Sequence, residues 1–378
     1  MSGLYLHIPF CKQACSYCDF YFVTSQQYKQ PFVDELIKEI RSRKDTRFAA
    51  EKVRTIYFGG GTPSLLSAGQ VHQILEAISE TFPLELEEVT FEMNPDDVTV
   101  DYLNDLKKTG INRASMGVQS TDPDLLNFMH RAHTSEEALQ CLELLHLSKF
   151  EVFTVDLIYG NPGQTITSLE RDLDIILGYN PQHVSAYSLT IEPRTRLGKQ
   201  VELGRIVPPE DDTIATHYDV VEKTLRAAGI LQYEVSNFAR PGDEAIHNSN
   251  YWEHANYLGF GPGAHSFWWE TSGRAGKRWS NEKKLRSYLN GSWNSPYAEE
   301  LLELPALAEE RLMLGLRTRK GISEDTLQEK YEVSFSPAQT EYLHRMEQQG
   351  KVITGNRIQL TTKGLKIADT ILLDLLTI

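Results

Sequence analysis

The chain has 378 residues, 40 % of them hydrophobic, with 38 Lys and Arg against 52 Asp and Glu and a formal charge of −14. That length is about two to three domains' worth of chain, with apolar side chains enough for an ordinary core. The acidic balance argues against nucleic-acid binding, which needs a basic face, so no nucleic acid is expected among the partners.

The opening segment, MSGLYLHIPF, has no basic start and only a short apolar run broken by His7, so it is not expected to be a signal peptide. Nowhere do about eighteen apolar residues follow one another, so no transmembrane segment is expected. A cytoplasmic location follows as an expectation, and there thiols stay reduced.

Short apolar runs predict strands at residues 4–8, 55–58, 88–93, 113–118, 153–159 and 183–189. Amphipathic stretches between and after them predict helices at 30–43, 67–81, 100–109, 135–147, 166–177 and 211–228. This alternation predicts an α/β fold with a parallel sheet and right-handed crossovers, a partial, TIM-like (βα)6 barrel. Small, polar and acidic residues collect at the predicted strand ends: GGGTPS (59–64), EMNP (92–95), Gln119 and Ser120, Asp156, and Thr190-Ile191-Glu192. In a βα barrel that end carries the active site.

The character changes near Ala239. Residues 1–239 are read as the barrel, and 240–306 as an aromatic and glycine-rich connecting region. Residues 307–378 are read as a mainly helical, winged-helix-like domain: helices at 308–316, 323–331 and 337–349, a hairpin turning at Gly355-Asn356, and a last apolar helix at 363–376. This last domain holds ten Lys and Arg and ten Asp and Glu, so it lacks the charge of a DNA-binding wing.

Three of the four cysteines, Cys11, Cys15 and Cys18, fall within CKQACSYC, in the loop after the first strand. A closed zinc site wants four protein ligands, and the fourth cysteine, Cys141, lies in the middle of a predicted helix, where a buried thiol is the ordinary reading. A Cys15/Cys18 dithiol leaves Cys11 idle, and a disulfide is disfavoured by compartment. An iron–sulfur cluster takes one thiolate per iron, so three thiolates leave one iron of a [4Fe-4S] cluster open to an outside ligand.

The C-x3-C-x2-C spacing with Tyr17 before the third cysteine resembles the radical S-adenosylmethionine superfamily. LYLHIPFC, FGGGTPS, FEMNPDDV, RASMGVQS and VDLIYGNPGQT, in that order, resemble its oxygen-independent coproporphyrinogen III oxidase-like subfamily over roughly half of the chain. The resemblance implies a [4Fe-4S] cluster on Cys11, Cys15 and Cys18, with S-adenosylmethionine chelating the open iron and cleaved by it to a 5′-deoxyadenosyl radical. It implies contacts to that cofactor from Tyr5, Tyr17, Gly60, Gly61, Thr62, Glu92, Gln119, Arg131 and Asp156. Glycines suit close backbone approach, and an arginine suits a carboxylate.

Two readings from different classes stand within the subfamily. The decarboxylase branch carries a further cysteine where this chain has Phe20, and an N-terminal extension before its first strand. The haem-chaperone branch shares the pattern His247-Asn248-Ser249-Asn250-Tyr251-Trp252, whose histidine the resemblance implies as a haem ligand. A haem carrier, with haem and unidentified acceptor proteins as partners and without coproporphyrinogen III oxidase activity, is the expected function. Radical decarboxylation of coproporphyrinogen III is the alternative, and a homodimer is one arrangement open to the chain.

Overall fold

The computed structural model describes residues 2–378. Six strands, β1 (Ser2–Ile8), β2 (Val53–Gly60), β3 (Leu84–Met93), β4 (Arg113–Gln119), β5 (Val152–Tyr159) and β6 (His183–Ser188), lie side by side in chain order, all parallel. Between and after them run α1 (Lys29–Arg41), α2 (Ala68–Thr81), α3 (Val100–Lys108), α4 (Pro123–Phe128), α5 (Ser135–Ser148), α6 (Ile166–Gly178), α7 (Arg196–Glu202) and α8 (Asp211–Ala227). The short helices α4 and α7 have no counterpart in the predicted series. Serine and threonine caps start several helices: the Ser67 and Thr134 side chains accept from the third helical N–H, and Gln70 and Glu137 reach back. Such reciprocal caps satisfy donors that the first turn leaves free.

Alternation along the strands separates two environments. Leu4, Leu6, Ile8, Ile56, Phe58, Phe91, Met116, Val155 and Val184 are buried in the apolar layer that includes Leu36, Ile74, Leu142 and Leu173 of the helices. The alternate positions are Tyr5, His7, Thr55, Tyr57, Glu88, Thr90, Glu92, Arg113, Ser115, Thr154, Asp156, His183 and Ser185. The sheet therefore buries oil on its outer face and polar groups on its inner face. At the level where the strands begin, Arg113 pairs with Glu88 at 3.4 Å, both nearly inaccessible.

Beyond β6 the sheet continues. The edge strands β7 (Leu231–Gln232) and β8 (Asn237–Ala239) pair with each other, and β8 pairs antiparallel with β6. Segment 240–306 opens with α9 (Ile246–Trp252), then adds β9 (Tyr257–Phe260) parallel to β1 on its free edge. The strands β10 (His265–Trp269), β11 (Ala275–Ser280) and β12 (Ala298–Glu303) extend that edge antiparallel, giving this sheet twelve strands among the described residues. Buried Glu39 of α1 fastens this segment to the helical layer. It accepts from the Gly261 N–H at 2.9 Å, from Asn281 at 2.7 Å and from the Tyr288 hydroxyl at 2.6 Å.

The C-terminal part has its own apolar cluster, including Leu307, Leu312, Leu316, Tyr331, Ile371 and Leu375. Its helices are α11 (Leu304–Leu316), α12 (Glu324–Tyr331) and α13 (Pro337–Gln348), following the short α10 (Leu285–Tyr288). Strands β13 (Ile322–Ser323), β14 (Val352–Ile353) and β15 (Arg357–Leu360) form a three-stranded sheet in the order β13-β15-β14. The single last helix expected at 363–376 is two, α14 (Thr362–Leu365) and α15 (Ala368–Thr377), because Ile367 leaves the helical conformation at φ −124°. Among the described residues no helix is long and apolar enough to cross a membrane.

Candidate cluster and cofactor site

The loop after β1 is held in shape by distant segments. Phe10 bridges Val23, and the Cys11 N–H donates to the Val23 carbonyl at 3.0 Å, closing the loop at its base. The Ser16 N–H donates to Met129 O at 3.0 Å and its hydroxyl to Phe128 O at 3.1 Å. On the opposite side Leu197 N–H, in α7, donates to Ser16 O at 2.8 Å. Lys12 pairs with Asp96 at 2.8 Å and also with Asp97, beyond the end of β3. These contacts bring Cys11, Cys15 and Cys18, all half-buried and free of disulfides, to one wall of a cavity of about 520 Å³. Cys141 is buried in α5 against Met116, with its sulfur 3.4 Å from the methionine sulfur, and does not line that cavity.

The strand ends form the other walls. Tyr17, Gly60, Gly61, Thr62, Glu92, Gln119, Arg131 and Asp156 line the same cavity as the three thiols. Tyr5 does not: its ring stacks on Tyr57, and its hydroxyl meets His7 Nδ1 at 3.2 Å. Gly61 lets the end of β2 close on the start of the thiol loop: its N–H donates to Ile8 O at 2.8 Å, and a Cβ there would stand 2.8 Å from Ile8 O and 2.7 Å from Phe10 O. Gln119 sits at φ +67°, a strained backbone for a side chain, and its buried Oε1 has no partner.

Charge in the cavity is unbalanced in a way that suits a zwitterionic guest. Burial raises the Glu92 carboxyl to about 7 and that of Asp156 to about 6, against the help of nearby hydrogen-bond donors. Glu92 accepts from the Tyr57 hydroxyl at 2.6 Å and the Gly60 N–H at 3.2 Å. Arg131 spans the gap between the acids and the thiols. Its Nη2 donates to Asn94 Oδ1 at 2.8 Å and to Gly117 O at 2.9 Å, its Nη1 lies 3.3 Å from Cys15 Sγ, and its buried Nε has no partner.

The donor set fits the cofactors that the sequence implies. Burial pushes the Cys11 and Cys18 thiols up to about 11, so in the bare protein they stay protonated, and binding a metal must expel those protons. Arg131 then offsets the thiolate charge. The orphaned Gln119 oxygen, the orphaned Arg131 nitrogen and two buried acids are polar atoms awaiting a polar guest. Three thiolates would hold the cluster, and these groups would meet an amino acid and a ribose. Asn94, which donates to Thr62 at 3.3 Å while accepting from Arg131, is a lining residue that the sequence reading quoted but gave no role. Tyr57 falls inside the strand predicted at 55–58 without a role there; its place two residues before Gly59, on the inner face of β2, is the sequence signal that points to it.

His247 lies elsewhere. It stands in α9, within the region read from sequence as a connection, and the Ile246 and His247 N–H groups that start this helix both donate to the Glu88 carboxylate at 2.9 Å. Its Nδ1 meets the Thr55 hydroxyl at 2.9 Å and its Nε2 that of Tyr251 at 2.9 Å, leaving the ring 2 % exposed. Thr55 opposes Gly3 where the strands start, whereas Gly60 opposes Ile8 five residues further on. At about 3.3 Å per residue the two levels are roughly 16 Å apart. His247 thus closes the end of the barrel opposite the thiols, and burial lowers its ring to about 3, which keeps it neutral.

The Radical SAM superfamily profile matches residues 5–176, and that of the HemN C-terminal domain matches residues 302–367. Heme chaperone HemW of Lactococcus lactis is 36 % identical over 374 residues, covering 98 % of this chain and 96 % of the relative. Heme chaperone HemW of Bacillus subtilis is 34 % identical, covering 96 % of each. Radical S-adenosyl methionine domain-containing protein 1, mitochondrial, of Bos taurus is 34 % identical, covering all of this chain and 87 % of the relative. Among solved structures, coproporphyrinogen III oxidase (HemN) from Escherichia coli matches with a TM-score of 0.82 at 23 % identity, over 99 % of this chain and 90 % of that one, and so shares the fold.

Proposed function

Because the chain belongs to the HemW family of radical SAM proteins, we propose that it is a haem chaperone, which binds haem and passes it to acceptor proteins. The observation that carries this reading is similarity to heme chaperones from end to end, not over the thiol loop alone. Phe20 adds to it. Its side chain is 66 % exposed at the rim of the cavity, so the position next to the thiol loop offers an apolar surface and no fourth sulfur.

In this reading Cys11, Cys15 and Cys18 hold a [4Fe-4S] cluster, and the remaining cavity takes S-adenosylmethionine exchangeably. When bound, the cluster supplies one-electron chemistry; the chain itself supplies the walls. Arg131 would meet the cofactor's carboxylate, Glu92 and Asp156 would meet its amine or ribose hydroxyls, and Gly60 and Gly61, with Thr62 beside them, would allow close backbone approach. Tyr17 and Gln119 border the same space, and Tyr5 acts one layer below through Tyr57. A reducing, cytoplasmic compartment suits three free thiols.

His247 is the proposed haem ligand, in a state where α9 has moved. A neutral imidazole is the form that ligates iron, and burial keeps this one neutral. Access to Nε2 requires the Tyr251 phenol to give way, since it now occupies that nitrogen.

Haem titration and a coproporphyrinogen III assay on one reconstituted, anaerobic sample test the function. The expected result is stoichiometric haem binding without decarboxylation. Formation of protoporphyrinogen would overturn it in favour of the enzyme.

A further inference from the structure

The two functional ends of the barrel are joined by one side chain. Tyr57 stands on the inner face of β2 between them. Its ring stacks on the His247 imidazole, with centroids 5.0 Å apart and planes at 29°. Its hydroxyl donates to Glu92 Oε1 at 2.6 Å. A second ring, Tyr5, stacks against it from β1 at 6.1 Å.

Two glycines make this column possible, and neither is required by its backbone, since neither is among the residues of positive φ. A Cβ on Gly59 would lie 2.7 Å from the Tyr57 ring and 3.1 Å from Glu92 Oε1. A Cβ on Gly3 would lie 2.9 Å from Thr55 Oγ1 and 3.2 Å from the His247 ring. Glycine inside a strand weakens it, and its presence marks a close approach. Here both bare positions open space for the same chain of contacts, His247 to Tyr57 to Glu92.

We propose that Tyr57 is a positioning residue: it orients Glu92 toward S-adenosylmethionine and couples the state of α9, through His247, to the affinity for that cofactor. The proposal rests on the reading above, in which the cavity takes S-adenosylmethionine and α9 takes haem. Any event that draws His247 away removes one support of the Tyr57 ring and loosens the hold on Glu92. By linkage the effect is mutual, so cofactor bound at Glu92 resists displacement of α9.

The test uses the full chain with its cluster reconstituted under anaerobic conditions and no haem present. Affinity for S-adenosylmethionine is measured by equilibrium binding, and the electron paramagnetic resonance spectrum of the reduced cluster is compared with and without cofactor. Tyr57→Phe keeps the ring and loses the donor, and is expected to weaken binding about tenfold. His247→Ala is expected to weaken it about threefold, whereas His247→Phe, which keeps a ring in the stack, retains it. In the Tyr57→Phe background, with no hydroxyl left to orient, His247→Ala adds nothing further. Iron content and thermal melting establish that each variant is folded and loaded. Wild-type affinity and spectrum in Tyr57→Phe, or effects that multiply in the double variant, would overturn the proposal. Because haem is absent, this result stands apart from the haem titration, and either reading can fail alone.

Discussion

The Arg131 guanidinium lies 3.3 Å from the Cys15 sulfur while holding the Asn94 side chain and the Gly117 carbonyl. One cation therefore serves both the thiol wall and the strand-end wall of the cavity. Arg131→Met should leave two buried acceptors without a donor, at about 1–3 kcal/mol of stability. It should also cut affinity for S-adenosylmethionine by roughly one to two orders of magnitude. Arg131→Lys should recover little of this, since one ammonium nitrogen cannot stand both beside the Asn94 and Gly117 oxygens, which Nη2 meets, and beside the Cys15 sulfur, which Nη1 meets. Cofactor titration alongside thermal melting reads both effects; a lysine variant that binds normally would show that only the charge matters.

Removing one thiol at a time tests which cysteines hold the proposed cluster. Alanine at Cys11, Cys15 or Cys18 is expected to abolish cluster retention, read as iron and labile sulfide per chain after anaerobic reconstitution. Cys141→Ala should retain full iron while losing about 1–2 kcal/mol of stability, because that sulfur fills apolar space beside Met116. Zinc bound without labile sulfide in the unsubstituted chain would refute the cluster assignment.

Substituting His247 should be felt by the fold as well as by haem. His247→Ala leaves the Tyr251 hydroxyl without its partner and Thr55 with Asn250 alone, and it opens a cavity under α9, which costs on the order of 2–4 kcal/mol. If His247 ligates haem iron, the haem spectrum of this variant is lost or shifted. A spectrum and affinity unchanged from the parent chain would remove His247 as the ligand and leave it a purely structural plug.

How much of this was legible in sequence depends on range. The six parallel strands stood out because each is a short apolar run ended by a turn, and their helices because of periodicity within the segment. Cys11, Cys15 and Cys18 were legible for the same reason: their spacing is local. Pairing between segments far apart in the chain leaves no such mark. Nothing within residues 257–260 says that they lie beside residues 3–6, so segment 240–306 read as a connection although it extends the sheet. The burial of His247 was hidden likewise, because the Glu88 cap and Thr55 partner come from strands well over a hundred residues earlier.

The buried carboxyls should each give the cluster-free chain less stability as pH rises, while buried neutral histidines such as His247 act the other way. Burial raises Glu39, Glu92 and Glu234 to about 7 and Asp156 to about 6, all above their unfolded values. The folded state then binds more protons than the unfolded state between the two values. Its advantage is full below about pH 4.5 and is lost as pH climbs through 6 to 7. Glu234→Gln cannot lose the proton, so between pH 5.5 and pH 8 it should gain on the parent chain by on the order of 2 kcal/mol. Melting of both chains at the two pH values checks this, and a gap between them that does not change with pH would contradict it.

The tether between the thiol loop and the α4 segment also sets an order of events in the cell. Ser16 is fastened to Phe128, 112 residues further along, so the loop cannot take its final shape until that segment exists. At about 5–20 residues per second, synthesis of that stretch takes roughly 6–20 s. For that interval the three thiols are unshielded by any folded wall. Maturation of this protein therefore begins with a window of oxidative exposure, and yield in culture should track how reducing the cell is while the chain is being made.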